Sequence, residues 1–248
     1  MSPADTQRKL IEAAAAAKVP WVLPNEWGGD SSDAALVSDM PVGLKRQAER
    51  ALIEELGASA WLGIACGFWY EFSLAGGPSR YGFDIAKREV AFYNDGLHVL
   101  DTSTWDIVGR ATAKVLSLPI DKEEGYEGPV IADWRNKYVC VSSFTINQRD
   151  MLDSLNRVLG TTDNDWKITH VDPQKIFKDA KEALSKGDWR AGVKVVYCRL
   201  FFPGTKTFAD GSLANETLGL PKEDLDASTR VAVQMSENEY FSPRTGRF

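Results

Sequence analysis

The sequence is poor in the residues that build metal, disulfide or hydrolytic sites. Only three cysteines and two histidines occur in 248 residues. Cys66, Cys140 and Cys198 are far apart, odd in number and form no C-x-x-C pair, so neither a disulfide framework nor a cysteine zinc site is indicated. His98 and His170 cannot make a histidine-rich site alone, and no metal is expected. No apolar run approaches the ~18 residues that a membrane-spanning helix needs. The start, Met1-Ser2-Pro3-Ala4-Asp5, has neither a basic head nor a signal-like apolar stretch. The expectation is a soluble cytoplasmic protein with no membrane partner. Positive charge is also short. Lys and Arg number 29 against 35 Asp and Glu, a net charge of -6, which argues against a nucleic-acid partner. The common chemical signatures are missing too. There is no G-x-G-x-x-G or G-x-x-G-x-x-G, no G-x-S-x-G elbow, no H-E-x-x-H and no Tyr followed four residues later by Lys. Gly77 and Gly82 have the outer spacing of a phosphate loop, but Phe83 stands where that loop needs Lys.

What is present is an ordinary globular composition, 44% hydrophobic and 26% charged, with a high count of eight Trp. Trp at that level serves as core filler or as the lining of an aromatic pocket. Ser2, Pro3 and Asp5 read as a helix start, with Leu10, Ile11, Ala14 and Ala15 on one face. Trp21-Val22-Leu23, between Pro20 and Pro24, reads as a short buried strand. A loop from Asn25 to Ser32 follows. Then comes a helix with Leu44, Ala48, Ala51, Leu52 and Leu56 on its face and Gly57 as its stop. Trp61–Cys66 is a second buried strand. Strands apolar on both faces and separated by amphipathic helices imply a parallel sheet covered on both sides. Such sheets bind ligands at the C-terminal ends of their strands, here Pro24–Asp30 and Gly67–Tyr70.

Further along, Val90–Tyr93 and His98–Thr102 suggest a hairpin around Asn94-Asp95-Gly96. Thr104 caps a helix reaching Leu118, residues 121–136 form a charged connection, and Tyr138–Ser142 is β-rich. Asn147–Leu159 reads as a helix ended by Gly160. Helices near 173–186, 188–202 and 222–236 follow, with 203–221 a loop.

Thr6-Gln7-Arg8-Lys9-Leu10-Ile11-Glu12-Ala13-Ala14, then Val22-Leu23-Pro24-Asn25-Glu26-Trp27-Gly28, resembles the NmrA-like/isoflavone reductase-like family, whose members read roughly T-Q-x-x-L-I-D-A-A and then P-S-E-F-G. Ile53-Glu54-Glu55-Leu56-Gly57, Gly67-Phe68-Trp69-Tyr70, Asp106-Ile107-Val108-Gly109-Arg110, Leu118-Pro119 and Ser142-Ser143-Phe144-Thr145 continue the likeness. The Trp-rich variants are most like fungal members. The resemblance implies an atypical short-chain dehydrogenase fold: α/β, with a partial Rossmann-like parallel sheet flanked by helices and a smaller α+β substrate lobe. Residues 1–120 would be the remainder of the NAD(P)-binding domain, with a hairpin insertion near 88–103. Residues 121–248 would be mainly the substrate lobe, with 137–160 a stretch that can return to the first sheet.

The implied activity is reduction of a small aromatic or polyketide-type carbonyl or enone by NADP(H) or NAD(H), in fungal secondary metabolism. The alternative is a non-catalytic dinucleotide-sensing or regulatory protein, or an inactive remnant. The partner is a small molecule. The resemblance also implies that the family's first strands and glycine loop are not in these residues. Cofactor binding is then expected to be weak, and the strand at 21–23 is expected to be a sheet edge open to self-association.

The family places the loop Pro24, Asn25, Glu26, Trp27 and Gly28 beside the nicotinamide; the plainer role is a strand-to-helix turn. Phe68, Trp69 and Tyr70 would form a wall for an aromatic substrate, or else a core cluster. The family's reductases carry a catalytic Lys four residues before an Arg that Ile-Glu follows. Arg50 and Ile53-Glu54 match, which puts Arg46 in the lysine position with Lys45 adjacent. Neighbours on a helix point about 100° apart, so Lys45 cannot simply substitute. Arg46 stays protonated, so it could polarise a carbonyl but not shuttle a proton. Lys45 and Arg46 are the catalytic candidates, with a solvated helix start as the plain alternative.

Overall fold

The structure, a computed structural model, describes residues 5–30, 33–208, 212–238 and 240–241. In chain order its elements are α1 (Thr6–Ala16), β1 (Trp21–Val22), α2 (Ala34–Asp39), α3 (Pro41–Leu56), β2 (Ala60–Ala65), β3 (Phe68–Trp69), α4 (Tyr70–Ala75), β4 (Phe83–Asp84), β5 (Glu89–Tyr93), β6 (Leu100–Ser103) and α5 (Trp105–Leu116). Then come β7 (Lys137–Cys140), β8 (Phe144–Ile146), α6 (Gln148–Leu159), β9 (Lys167–Val171), α7 (Pro173–Ser185), α8 (Ala191–Leu200) and α9 (Leu225–Glu237). The chain divides into two compact units and passes between them several times. The first takes Met1–Gly67, Asp106–Ser142 and Phe208–Pro221; the second takes Phe68–Trp105, Ser143–Thr207 and Lys222–Phe248, just over half the chain.

Unit one holds a parallel sheet in the order β1-β2-β7, with Trp21 opposite Ala60 and Gly63 opposite Tyr138. Every residue of β2 is buried, as its unbroken apolar run requires. β1 is only half-buried, and among the described residues it pairs with β2 alone. Pro20 and Pro24 flank it and have no N–H to offer a further strand. α1 and α3 pack together, and Ile11, Ile53 and Trp61 form a small core. Ser2, Pro3 and Ala4 of the expected helix start lie outside the described residues; Asp5 makes no side-chain cap bond and pairs instead with Lys9 at 2.6 Å.

The inward face of α3 corrects the sequence reading. Leu44, Ala48, Ala51 and Leu56 are exposed, and Gly43, Arg50 and Ile53 point inward instead. The apolar periodicity fails here because the inward face carries charge that a buried partner compensates. Gly57 does end the helix, at φ 64°.

Unit two is α+β. One sheet runs β3-β6-β8, the other β4-β5-β9, each with one parallel and one antiparallel pair. The expected hairpin is therefore absent. Asn94-Asp95-Gly96 does turn the chain, with positive φ at Asn94 and Gly96, but β5 joins β4 and β9 while β6 joins β3 and β8. A turn signal is local and does not choose the sheet that the next strand enters. Buried Gln148 ties the region together: its Oε1 accepts from the Tyr93 N–H, and its Nε2 donates to the Tyr81 and Ala91 carbonyls. The core gathers Tyr70, Tyr81, Phe83, Phe92, Met151, Leu155, Phe201 and their neighbours under α4, α6, α8 and α9. No helix among the described residues is long and apolar enough to cross a membrane.

Candidate functional site

The Pro24–Gly28 loop leaves the C-terminal end of β1 in two tight turns. The Glu26 N–H donates to the Pro24 carbonyl and the Gly28 N–H to the Glu26 carbonyl, each at 2.8 Å. The loop is docked from both sides. On the backbone side, the Gly28 carbonyl accepts from the Cys66 and Gly67 N–H groups at the end of β2, at 2.8 and 3.1 Å, and Gly28 bridges Ala65. On the side-chain side, Glu26 turns inward and is 1% exposed. Its Oε2 accepts from Arg50 Nη1 at 2.6 Å and from the Tyr138 hydroxyl. Pro24 is buried, Asn25 is exposed, and Trp27 and Gly28 are half-buried. Trp27 thus sits between two fixed points rather than on a mobile turn.

Arg50 is 7% exposed, and its guanidinium lies over the rings of Trp61 and Tyr138, 5.1 and 5.2 Å from their centroids. Stacking and a carboxylate together compensate its buried charge. Tyr138 fits there because β2 carries Gly63 opposite it. A β-carbon on Gly63 would fall 2.5 Å from the tyrosine ring. Sequence reading missed Tyr138, and a glycine inside an otherwise apolar strand was the signal that something approaches closely.

The structure separates the two catalytic candidates. Arg46 brings its guanidinium to the loop, where a β-carbon on Gly28 would sit 3.5 Å from its Nη1. Lys45 turns instead to a groove of about 590 Å³ lined by Asp5, Arg8, Leu52 and Glu55 among others, and pairs with Glu49 at 3.6 Å. Burial pushes the Glu49 carboxyl above its usual range, against the pull of Lys45.

The three aromatics after β2 lie in unit two, in different settings. Phe68 stacks on Tyr197 at 3.9 Å between centroids. Tyr70 is wholly buried, with its hydroxyl bonded to Thr229 at 2.7 Å, so in this structure it is a core residue. Trp69 meets Phe72 and Trp105 edge-on, and its indole nitrogen is buried with no hydrogen-bond partner among the described residues. No cluster of metal-ligating side chains occurs among the described residues.

A helix-covered parallel sheet with a polar loop docked at its strand ends defines the class: a Rossmann-type α/β fold of the kind that reductases use. Within that class the likeness is to isoflavone reductase-like proteins. No protein-family sequence profile matches the chain. It is 26% identical over 229 residues to the oxidoreductase aprR of Aspergillus flavus, spanning 89% of this chain and 70% of that one. Among solved structures, AtPrR2 with NADP+ and (+)-pinoresinol superposes with a TM-score of 0.66 at 19% identity, over 91% of this chain and 69% of that one. An isoflavone reductase superposes at 0.62 and 17% identity, over 95% and 70%. At these identities the structural likeness is one of fold. The chain resembles the NmrA-like/isoflavone reductase-like family in its motifs and in its fold.

Proposed function

We propose that this chain is an NADP(H)-dependent oxidoreductase that reduces a small aromatic or polyketide-type carbonyl or enone in fungal secondary metabolism. The observation that carries the reading is the doubly anchored Pro24–Gly28 loop at the strand ends, with the Arg46 guanidinium beside Gly28 and a buried acceptor, Glu26 Oε1, that has no donor among the described residues. These residues fit a nicotinamide, a flat ring that carries an amide donor. The bound nicotinamide would supply hydride. Pro24, Glu26, Trp27 and Gly28 would hold its ring side. The Arg46 guanidinium would stabilise negative charge developing on a substrate oxygen, and a water or another acid must deliver the proton. Trp69, whose N–H has no partner among the described residues, is the aromatic of the three after β2 that we assign to an aromatic ligand with an oxygen acceptor.

Purified protein is expected to oxidise NADPH only when a suitable aromatic enone or carbonyl is added. Arg46→Ala should lower kcat by roughly 10²-fold, as loss of one oxyanion donor does. Affinity for NADPH should be weak, because these residues contain no glycine-rich phosphate loop, and each charge-assisted bond forgone costs roughly 1.5–3 kcal/mol. No binding by calorimetry at millimolar NADPH would overturn the reading. Binding without turnover across such substrates would favour the second reading, a dinucleotide-sensing regulator. The observation behind that reading is that Lys45 faces the groove while an arginine occupies the position beside the loop.

A further inference from the structure

Glu26 places a carboxylate where burial makes every lone pair count. Its Oε2 takes both donors, Arg50 and Tyr138. Its Oε1 is shut off from solvent and has no hydrogen-bond partner among the described residues. An orphaned buried acceptor is costly, and such atoms are kept where something else fills them. The asymmetry is built in. Arg50 is fixed over two aromatic rings, and Tyr138 is fixed by the space that Gly63 leaves, so both donors are anchored on the Oε2 side. The same carboxylate belongs to the loop whose backbone is tied to the end of β2.

We infer that Glu26 Oε1 is an acceptor reserved for an N–H donor of the ligand seated on the Pro24–Gly28 loop, and that Arg50 and Tyr138 are positioning residues that keep the carboxylate turned for it. The inference rests on the proposed function, and the donor of matching chemistry is the primary carboxamide of a nicotinamide dinucleotide. Neither Arg50 nor Tyr138 needs to touch that ligand. Their part is to occupy Oε2, so that the one remaining acceptor is presented in a single orientation.

The test compares two ligands that differ at this group: NADP+ and its 3-acetylpyridine analogue, in which a methyl replaces the amide nitrogen. Calorimetry on the full chain should show NADP+ binding roughly tenfold or more tighter, the size of one hydrogen bond to a charged group. Glu26→Gln is informative because its single amide oxygen must serve Arg50 and Tyr138, which puts the NH2 at the former Oε1 position. An acceptor becomes a donor, and the preference should shrink to within about threefold or reverse. A purely structural role would lower both affinities together and leave their ratio unchanged. Tyr138→Phe frees part of Oε2, and the ratio should fall by roughly threefold. A wild-type protein that binds both ligands equally, or a Glu26→Gln protein that keeps the wild-type ratio, overturns this inference and leaves the proposed function standing. A wild-type protein that binds neither overturns both. If Glu26→Gln fails to fold, the wild-type ratio still decides.

Discussion

Arg157 grips Asp226 with two bonds, Nε to Oδ2 at 2.8 Å and Nη2 to Oδ1 at 2.7 Å, while the Ser154 hydroxyl donates to Oδ1 at 2.7 Å. Ser154 continues through Thr229 to the buried Tyr70 hydroxyl, so a surface ion pair anchors a line of hydroxyls that reaches the core. The Arg157 bonds, helped by Ser154, hold the Asp226 carboxyl down at about 2. An unfolded aspartate titrates near about 3.9. The stabilisation is therefore complete above about pH 4 and is lost as pH falls toward 2. Asp226→Asn should remove up to about 1 kcal/mol at neutral pH and flatten the pH dependence of stability in that acid window. Urea titrations at several pH values check both, and equal acid slopes for the two proteins would refute the assignment.

α6 shows how far local sequence reaches. Asn147 accepts from the Asp150 N–H at 2.9 Å, Asp150 returns the bond to the Asn147 N–H at 3.0 Å, and Gly160 ends the helix at φ 66°. Each part is a neighbour effect, and each was legible in the residues. Asn147→Ala should cost about 1 kcal/mol by thermal or chemical unfolding. α3 shows the opposite. Its leucines and alanines mark a face that the fold leaves exposed, because Arg50 is drawn inward by a carboxylate 24 residues earlier and a hydroxyl 88 residues later. Apolar spacing cannot register partners at such separations. The loop at Pro24–Gly28 was legible through its motif and its place after a strand. The split between Lys45 and Arg46 was half legible: the angle between neighbours on a helix forbids both from facing the loop, but not which one does. The short strands at β3, β4 and β9 were not legible, since two to five residues carry too little pattern.

For the molecule as a whole, the path of the chain matters more than any one boundary. β2 is flanked by β1 from before it and by β7, more than seventy residues after it, and the strand that completes that sheet is itself covered by a still later segment. The Ala214 N–H donates to the Cys140 carbonyl at 2.7 Å, Asn215 exchanges two bonds with the Ser142 backbone, and Phe208 packs on Ala65 and Cys140. A fragment ending at residue 120 keeps β2 but loses β7, Tyr138 and that cover. It should show no cooperative thermal transition by circular dichroism, whereas the full chain should. A sharp melt from the fragment would mean that the parallel sheet is self-sufficient without its third strand.

The distance along the chain between Glu26 and Tyr138, 112 residues, has a consequence for biosynthesis. A ribosome releases the carboxylate and the arginine long before the phenol, so the nascent protein carries the Pro24–Gly28 loop with its anchor still unmade. Its geometry is set only when translation has passed residue 138. A stall or premature stop before residue 138 would yield a polypeptide that carries Glu26 and Arg50 without the hydroxyl that completes their contact.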